Sequence, residues 1–304
     1  MVRNRDAKGF YNGPIVDAHH HLWDLALDRH PWLKKAAAKG DGNVLTRDHL
    51  PADYWAEALR HNVVATVHVE AGWDDRDPLG EIAWLDALDK PNGIAARYVV
   101  HANLDAPGVD VLLERFGAHE RVAGIRDILS WHPDPAKRFA ARPDIMEDPA
   151  WRRGLGLLLR HGLSFDLMIS PWQTERALRL ASDFPNLSFI LNHCGSPFDR
   201  DAEGMMRWRN GLRALAGAPN VALKISDLVA YDPHWTLESL REIVLTCIDA
   251  FGVERCAFAS DYPVAALHAS FDQIFDSFKT IVADFTDDEC ADLFEGNARH
   301  LYGL

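Results

Sequence analysis

Two histidines spaced two apart, His19 and His21, end a short apolar run that begins at Ile15 and Val16. Side chains on a strand alternate with a period of two, so both imidazoles project to one face and His20 to the other. Neutral imidazoles converging on one spot suit zinc and its first-row relatives. Such a pair also occurs as hydrogen-bonded core residues, so its chemistry depends on what joins it. Two later apolar runs end in matching chemistry: one at His193, the other at Asp261, where Tyr262 and Pro263 force an immediate turn. Alone, Asp261 reads as a helix cap or turn aspartate. Beside three imidazoles, a carboxylate can bind a divalent metal and take a proton from water, the combination that metal-assisted hydrolysis needs. His19, His21, His193 and Asp261 are therefore the expected catalytic and metal-ligating set.

Eight apolar strand-like runs lie along the chain, at 15–21, 63–69, 94–100, 122–129, 163–169, 187–193, 221–226 and 256–261. A helix-period segment follows each, with no linker-like stretch between them. This alternation predicts a parallel sheet covered by helices, and eight units predict one closed (β/α)8 TIM barrel over residues 14–304. Residues 1–13 read as a loosely held tail. Gly162 reads as a helix stop, and Thr286 with Glu289 as a capping box. The long polar stretch 22–49 reads as a functional or disordered loop. In such barrels chemistry sits at the C-terminal ends of the strands, and the four candidates fall there, on strands one, six and eight.

Other polar residues in or near those strands are candidates for holding substrate. Arg126 and Lys224 lie in the barrel wall, where a buried cation is costly unless paired. Each either grips a substrate carboxylate or hydroxyl or pairs with Asp127 or Asp166. His68 and Glu70 share a face at the end of strand two, and His101 ends strand three, so these could line a pocket or serve a structural role. Trp23, Trp73, Trp131, Trp172 and Trp235 each follow a strand closely, which would set flat aromatic surfaces over the mouth for a sugar ring. The substrate-binding set expected from sequence is thus Arg126, Lys224, Trp23, His68, Asp166 and Trp131.

A net charge of -13, without a dense Lys/Arg run, argues against nucleic acid and anionic membrane as partners. No run of about 18 apolar residues occurs and the first residues carry charges throughout, so neither a membrane span nor a signal segment is expected. Four cysteines without Cys-x-x-Cys spacing suggest neither a disulfide framework nor a zinc knuckle and fit a reducing cytoplasm. A small-molecule substrate is the expected partner, and a homo-oligomer remains open.

Four ordered segments carry a family resemblance: Asp17-Ala18-His19-His20-His21-Leu22-Trp23, Leu191-Asn192-His193-Cys194-Gly195, Ala259-Ser260-Asp261-Tyr262-Pro263-Val264, and Glu295-Gly296-Asn297-Ala298-Arg299-His300-Leu301-Tyr302. Together they resemble the amidohydrolase-2 branch of the amidohydrolase superfamily, and within it the sugar-lactonase and dicarboxylate-lactonase group. The resemblance implies a distorted (β/α)8 barrel and attack of an activated water on a lactone or ester carbonyl. It places His19 and His21 as the first-strand pair, His193 as the sixth-strand histidine and Asp261 as the eighth-strand aspartate. Strands four and five depart from the full metal-centre pattern, offering Arg126, Asp127 and Asp166 where a ligand histidine or bridging lysine is common. The lactonase group shares that departure and includes members thought to work without metal. The implied cofactor is thus one divalent metal, zinc or manganese, or none. His20 stands where many relatives have glutamine, and Asp227 where a glycine is frequent, a difference that could alter substrate choice. The expected reaction is opening of a sugar-acid or related lactone. A metal-dependent decarboxylase or lactone isomerase is the alternative, and a non-catalytic sugar-binding barrel a further one.

Overall fold

In the computed structural model, which describes residues 4–37, 44–91 and 93–304, eight strands pair in parallel and in chain order. They are β1 (Ile15–His20), β2 (Val63–Val69), β3 (Arg97–His101), β4 (Val122–Ile128), β5 (Ser164–Met168), β6 (Phe189–Leu191), β7 (Val221–Ile225) and β8 (Cys256–Phe258). Helices α1 (Pro31–Ala37), α2 (Pro51–Ala58), α3 (Gly80–Ala87), α4 (Val109–Gly117), α5 (Pro149–Leu157) and α6 (Thr174–Asp183) belong to the first half. The second half adds α7 (Ala202–Ala216), α8 (Leu237–Phe251), α9 (Phe271–Ile281), α10 (Asp287–Ala291) and α11 (Asn297–Tyr302). The eight-stranded barrel expected from the alternation is what forms. Its seam is irregular, because β8 stops early and Asp17 meets the chain beyond it with side-chain bonds from the Ser260 N–H (2.8 Å) and hydroxyl (2.5 Å). Main-chain bonds from Asp261 to His19 and from His21 to Tyr262 then close the mouth.

Alternation along each strand sorts its side chains into two cores. Phe165, Leu167, Phe189, Leu191, Leu223 and Ile225 face outward into the large core between strands and helices. Val16, Ala18, Val67, Val99, Ile190 and Ala257 face inward, and Ala298 and Tyr302 of α11 pack with them. Small residues inside leave room for long polar side chains at the mouth. By the same alternation Arg126, Asp166 and Lys224 point inward, and all three are buried.

The strands at the mouth are shorter than their apolar runs suggest. β6 ends at Leu191 and β8 at Phe258, while His193 and Asp261 lie beyond them in left-handed backbone, φ 52° and 55°. β3 begins later than expected, at Arg97, after Ala95 has also taken a positive φ. Gly162 ends a tight turn after α5 at φ 65°, and Thr286 with Glu289 caps α10 in both directions, as expected. Within the long polar stretch the described residues fold into α1 and short turns, whereas positions 38–43 lie outside the described residues.

The segment read as a loose tail is held over its described residues. Arg5 bonds Asp287 at 2.5 Å and the Ala283 carbonyl at 2.8 Å, and Tyr11 is buried with its ring stacked on Phe294 at 4.7 Å. Aromatic burial against a distant helix is invisible to a composition reading of these thirteen residues, of which Arg3, Arg5, Asp6 and Lys8 are charged. Tyr11→Ala is expected to cost about 3 kcal/mol of stability, the scale of an aromatic deletion, read as a lowered urea midpoint.

Candidate active site

A register irregularity in β1 makes the site. Val16 and Ala18 point into the barrel, so strict alternation would send His20 inward as well. The pairing with β2 shifts between Asp17 and His20, and this reverses the outcome. His20 turns outward, its Nε2 meeting the Thr66 hydroxyl at 2.8 Å and its ring packing on Tyr54 of α2. His19 and His21 both reach the mouth, their ring centres 5.0 Å apart. His193 brings a third imidazole, with its ring 4.7 Å from that of His19.

Asp261 is the focus. Its Oδ1 lies 3.2 Å from His19 Nε2 and 3.4 Å from His21 Nε2. Neither approach has hydrogen-bond geometry, and Oδ1 is buried without a partner. A buried carboxylate oxygen in that state is costly unless something else satisfies it. His21 shows what that is. Its Nδ1 sits 2.8 Å from the Val69 carbonyl, which can only accept, so Nδ1 carries a hydrogen and Nε2 is the atom turned toward Asp261. A cation held between ring nitrogens and the carboxylate would satisfy that oxygen. Candidate ligand atoms of His19, His193 and Asp261 also lie within 4.8 Å of one another. The donor set therefore fits a divalent cation.

Electrostatics keep His19, His193 and Asp261 in their ligand-competent and basic forms. Burial pushes Asp261 up, but His193 and then His21 outweigh it, and the carboxyl ends below its usual range. Burial drives His193 down to about 3, against the opposing pull of Asp261. His19 is driven well below an ordinary histidine by burial and then by the neighbouring Lys224 charge. Neutral imidazoles and an ionised aspartate at neutral pH are what metal binding and proton abstraction require.

Of the two buried cations in the barrel wall, Arg126 and Lys224, neither is the free gripping group that sequence left open, and one has an unforeseen partner. Arg126 Nε bonds Glu70 at 2.6 Å and Nη2 bonds the Glu70 carbonyl at 2.9 Å, while Nη1 lies 3.4 Å from His19 Nε2. Asp127 instead accepts from the Trp151 indole. Lys224 pairs with Asp166 at 2.5 Å and lies 3.2 Å from His19 Nδ1. Burial lowers the Lys224 pKa, and Asp166 opposes this.

The other expected substrate contacts differ in where their side chains lie. His68 points outward from β2, with Nδ1 accepting from Leu22 N and Nε2 3.2 Å from Glu81 of α3, so it does not line the mouth. Trp23 is wholly buried, with its N–H on the Arg47 carbonyl and its ring against Trp32 and His49. Trp131 is half-buried under Arg138, and Trp172 lies exposed beneath Arg207 at 3.6 Å.

The His68 partner gives a pH prediction. Burial and then Glu70 push Glu81 from an ordinary 4.5 to about 7. The folded protein then holds more protons than the unfolded chain between those values, so this carboxyl lowers stability as pH rises through that window. Glu81→Gln is expected to remove a loss on the order of 2–4 kcal/mol, read as the wild-type minus variant difference in urea stability at pH 4.5 and 7.5.

Asp227 is the site residue that sequence reading noticed only as a departure. It follows β7 in left-handed backbone, φ 53°, which explains why a glycine suits the position. Its carboxyl meets that of Asp261, and burial followed by the Asp261 charge raises it well above the usual range, so the shared proton stays on Asp227. Among the described residues, seven non-glycine positions have positive φ, and five of them (His193, Cys194, Ser196, Asp227, Asp261) follow β6, β7 and β8. Backbone strain gathered at three adjacent strand ends is typical of a functional site.

Comparison with known proteins gives this constellation its family. The family model described as amidohydrolase, of the second amidohydrolase type, matches residues 16–304. The chain belongs to the amidohydrolase family. Over 293 residues this amidohydrolase is 40% identical to the uncharacterized protein y4mH of Sinorhizobium fredii, covering 95% of this chain and 98% of that one. It is 30% identical over 274 residues to an L-fucono-1,5-lactonase of Burkholderia multivorans, covering 85% of each. A crystal structure of a Burkholderia multivorans amidohydrolase with bound Zn, 25% identical, superposes with a TM-score of 0.79 over 96% of this chain and all of that one. The amidohydrolase described here is thus an enzyme on a TIM barrel. Among its described residues no helix is long and apolar enough to cross a membrane.

Proposed function

We propose that this amidohydrolase hydrolyses a small sugar-acid lactone. The observation that carries the reading is the buried Asp261 oxygen, unpartnered and faced by two imidazoles at the barrel mouth. The lactonase relative supports the choice of a cyclic ester as substrate. Asp261, ionised at neutral pH, accepts a proton from water as that water adds to the lactone carbonyl. The same proton then passes to the ring oxygen as its bond to the former carbonyl carbon breaks, leaving a hydroxy acid. His193, whose Nδ1 is steadied by the Ser226 hydroxyl at 2.9 Å, orients the water. Arg126, held by Glu70, faces the same space and offers the developing oxyanion a positive neighbour. His19, His193 and Asp261, with His21 beside them, would hold a divalent cation, zinc or manganese, whose chemistry there would be to polarise the carbonyl and acidify the attacking water. A cytoplasmic location and a lone small-molecule partner are consistent with this reaction.

Purified protein should acidify a weakly buffered indicator solution when given L-fucono-1,5-lactone or another aldonolactone, one proton for each ring opened. No acid from any aldonolactone or dicarboxylate lactone would sink the proposal. Carbon dioxide release from a hydroxylated benzoate would replace it with a decarboxylase.

A further inference from the structure

A cavity of about 240 Å³ opens between the loops that follow β2 and β3, at the end of the barrel that carries the mouth. Trp73 gives it an aromatic wall, and Asp74, Asp75, Glu81, His101 and Asn103 supply its polar atoms. His101 ties the cavity to the mouth. Two positions beyond the inward-facing Val99, it pairs with Arg126 across β3 and β4, and its Nδ1 lies 3.1 Å from the Arg126 carbonyl. Arg126 Nη1 stands 3.4 Å from His19 Nε2. Arg126 is thus the side chain between the two spaces.

The polar atoms of the lining are mostly of one kind. His101 has spent its two ring nitrogens, one on the Arg126 carbonyl and the other, at 3.2 Å, on Asn103 Oδ1. Asp74 is taken up by Arg76. The Trp73 indole N–H is buried without a partner against Gly80, where an added Cβ would come within 2.6 Å of the nitrogen, so it does not reach the opening. Glu81 is only 4% exposed, with Oε1 held by Ala71 N at 2.8 Å and His68 at 3.2 Å, while Oε2 makes no hydrogen bond to any described residue. Asp75 is largely exposed, with His101 Nε2 at 3.5 Å as its ionic neighbour. Asp75 and Glu81 therefore have oxygens to spare, and among the lining side chains the Asn103 amide alone has hydrogens free to give.

From this inventory we infer that the cavity takes the uncharged, hydroxylated far end of the lactone and turns away a lactone that carries a carboxylate there. A hydroxyl both donates and accepts, so it satisfies Asp75 and either protonation state of Glu81, while Trp73 covers the C–H face of the same chain. A carboxylate brings no hydrogen and sets a like charge beside Asp75. The inference rests on the lactonase reading and narrows its substrate class to aldonolactones over the dicarboxylate type.

The matched probes are an aldonolactone ending in a CH2OH group and the aldarolactone of the same ring ending in a carboxylate, compared at low ionic strength. Wild type should favour the first in kcat/KM by roughly 10-fold or more. Asp75→Lys, which reverses the charge and adds hydrogens, should narrow that preference at least about fivefold by raising kcat/KM for the aldarolactone. Ala106→Leu, which fills the cavity without changing its charge, should raise KM for the aldonolactone roughly 10-fold with kcat within about twofold. Equal kcat/KM for the two lactones, or a preference untouched by Asp75→Lys, overturns the inference and leaves a lactonase in place. Acid from neither lactone overturns the lactonase reading instead, and calorimetric titration then decides the cavity by itself. Its probes are the corresponding lactams, whose ring nitrogen resists hydrolysis. The neutral lactam should bind at least about tenfold more tightly than the carboxylated one and lose about tenfold in Ala106→Leu. Lactam binding that is absent, or blind to the carboxylate, overturns the inference there as well.

Discussion

Asp261→Asn is expected to lower kcat on the responsive lactone by at least about a thousandfold, the upper part of the range for loss of a general base. The amide is nearly isosteric but cannot take a proton from water. Stability should not suffer, and that makes the test clean. Asp227 shares a proton with Asp261 because two buried carboxyls in contact cannot both ionise. An amide in place of Asp261 removes the charge that raises Asp227 and can itself donate to that carboxyl, so the thermal midpoint is expected to stay level or rise. Near-normal turnover in a folded Asp261→Asn protein would remove this residue from the chemistry.

Arg126→Met should be strongly destabilising. The variant strands Glu70, which is fully buried and otherwise bonded through its carboxylate to Gly72 N. Burial pushes the Glu70 carboxyl up, but Arg126 and then His101 bring it below its ordinary value. Removing one partner of a buried pair typically costs about 3–5 kcal/mol, mostly from the charge left behind. Glu70→Gln combined with Arg126→Met should recover more than half of that loss, since a neutral amide needs no counter-charge. Urea unfolding of the two single variants and the double variant measures the coupling. Additive losses would show that the pair contributes no mutual stabilisation. Activity should fall in Arg126→Met even where the protein remains folded, because the positive neighbour at the mouth is gone.

How far the site was legible differs from residue to residue. His193 and Asp261 could be found because each ends an apolar run with a group that is expensive to bury, and those signals are local. That His20 faces away from His19 and His21 was also legible, but which side of the strand it would take was not. Val16 and Ala18 point inward, and only the register shift against β2 turns the next residues over. His68 misled because the period of two places it with Glu70. In the fold His68 faces α3 on the outer side of β2, and Glu70, beyond the strand end, turns back to Arg126. Tyr11 was illegible for a plainer reason, as its partner Phe294 lies almost a chain length away.

By itself the amino-acid sequence determined the eight-fold alternation, hence the barrel and the end of it that carries polar chemistry, because side-chain period and apolar run length are set by neighbouring residues. Only the tertiary structure decided who pairs with whom: Arg126 with Glu70, Lys224 with Asp166 and His19, Asp227 with Asp261. Lys224 and His19 stand 205 positions apart. Barrel closure brings them to hydrogen-bond distance, and no local pattern encodes a contact that depends on the shape of the whole ring of strands.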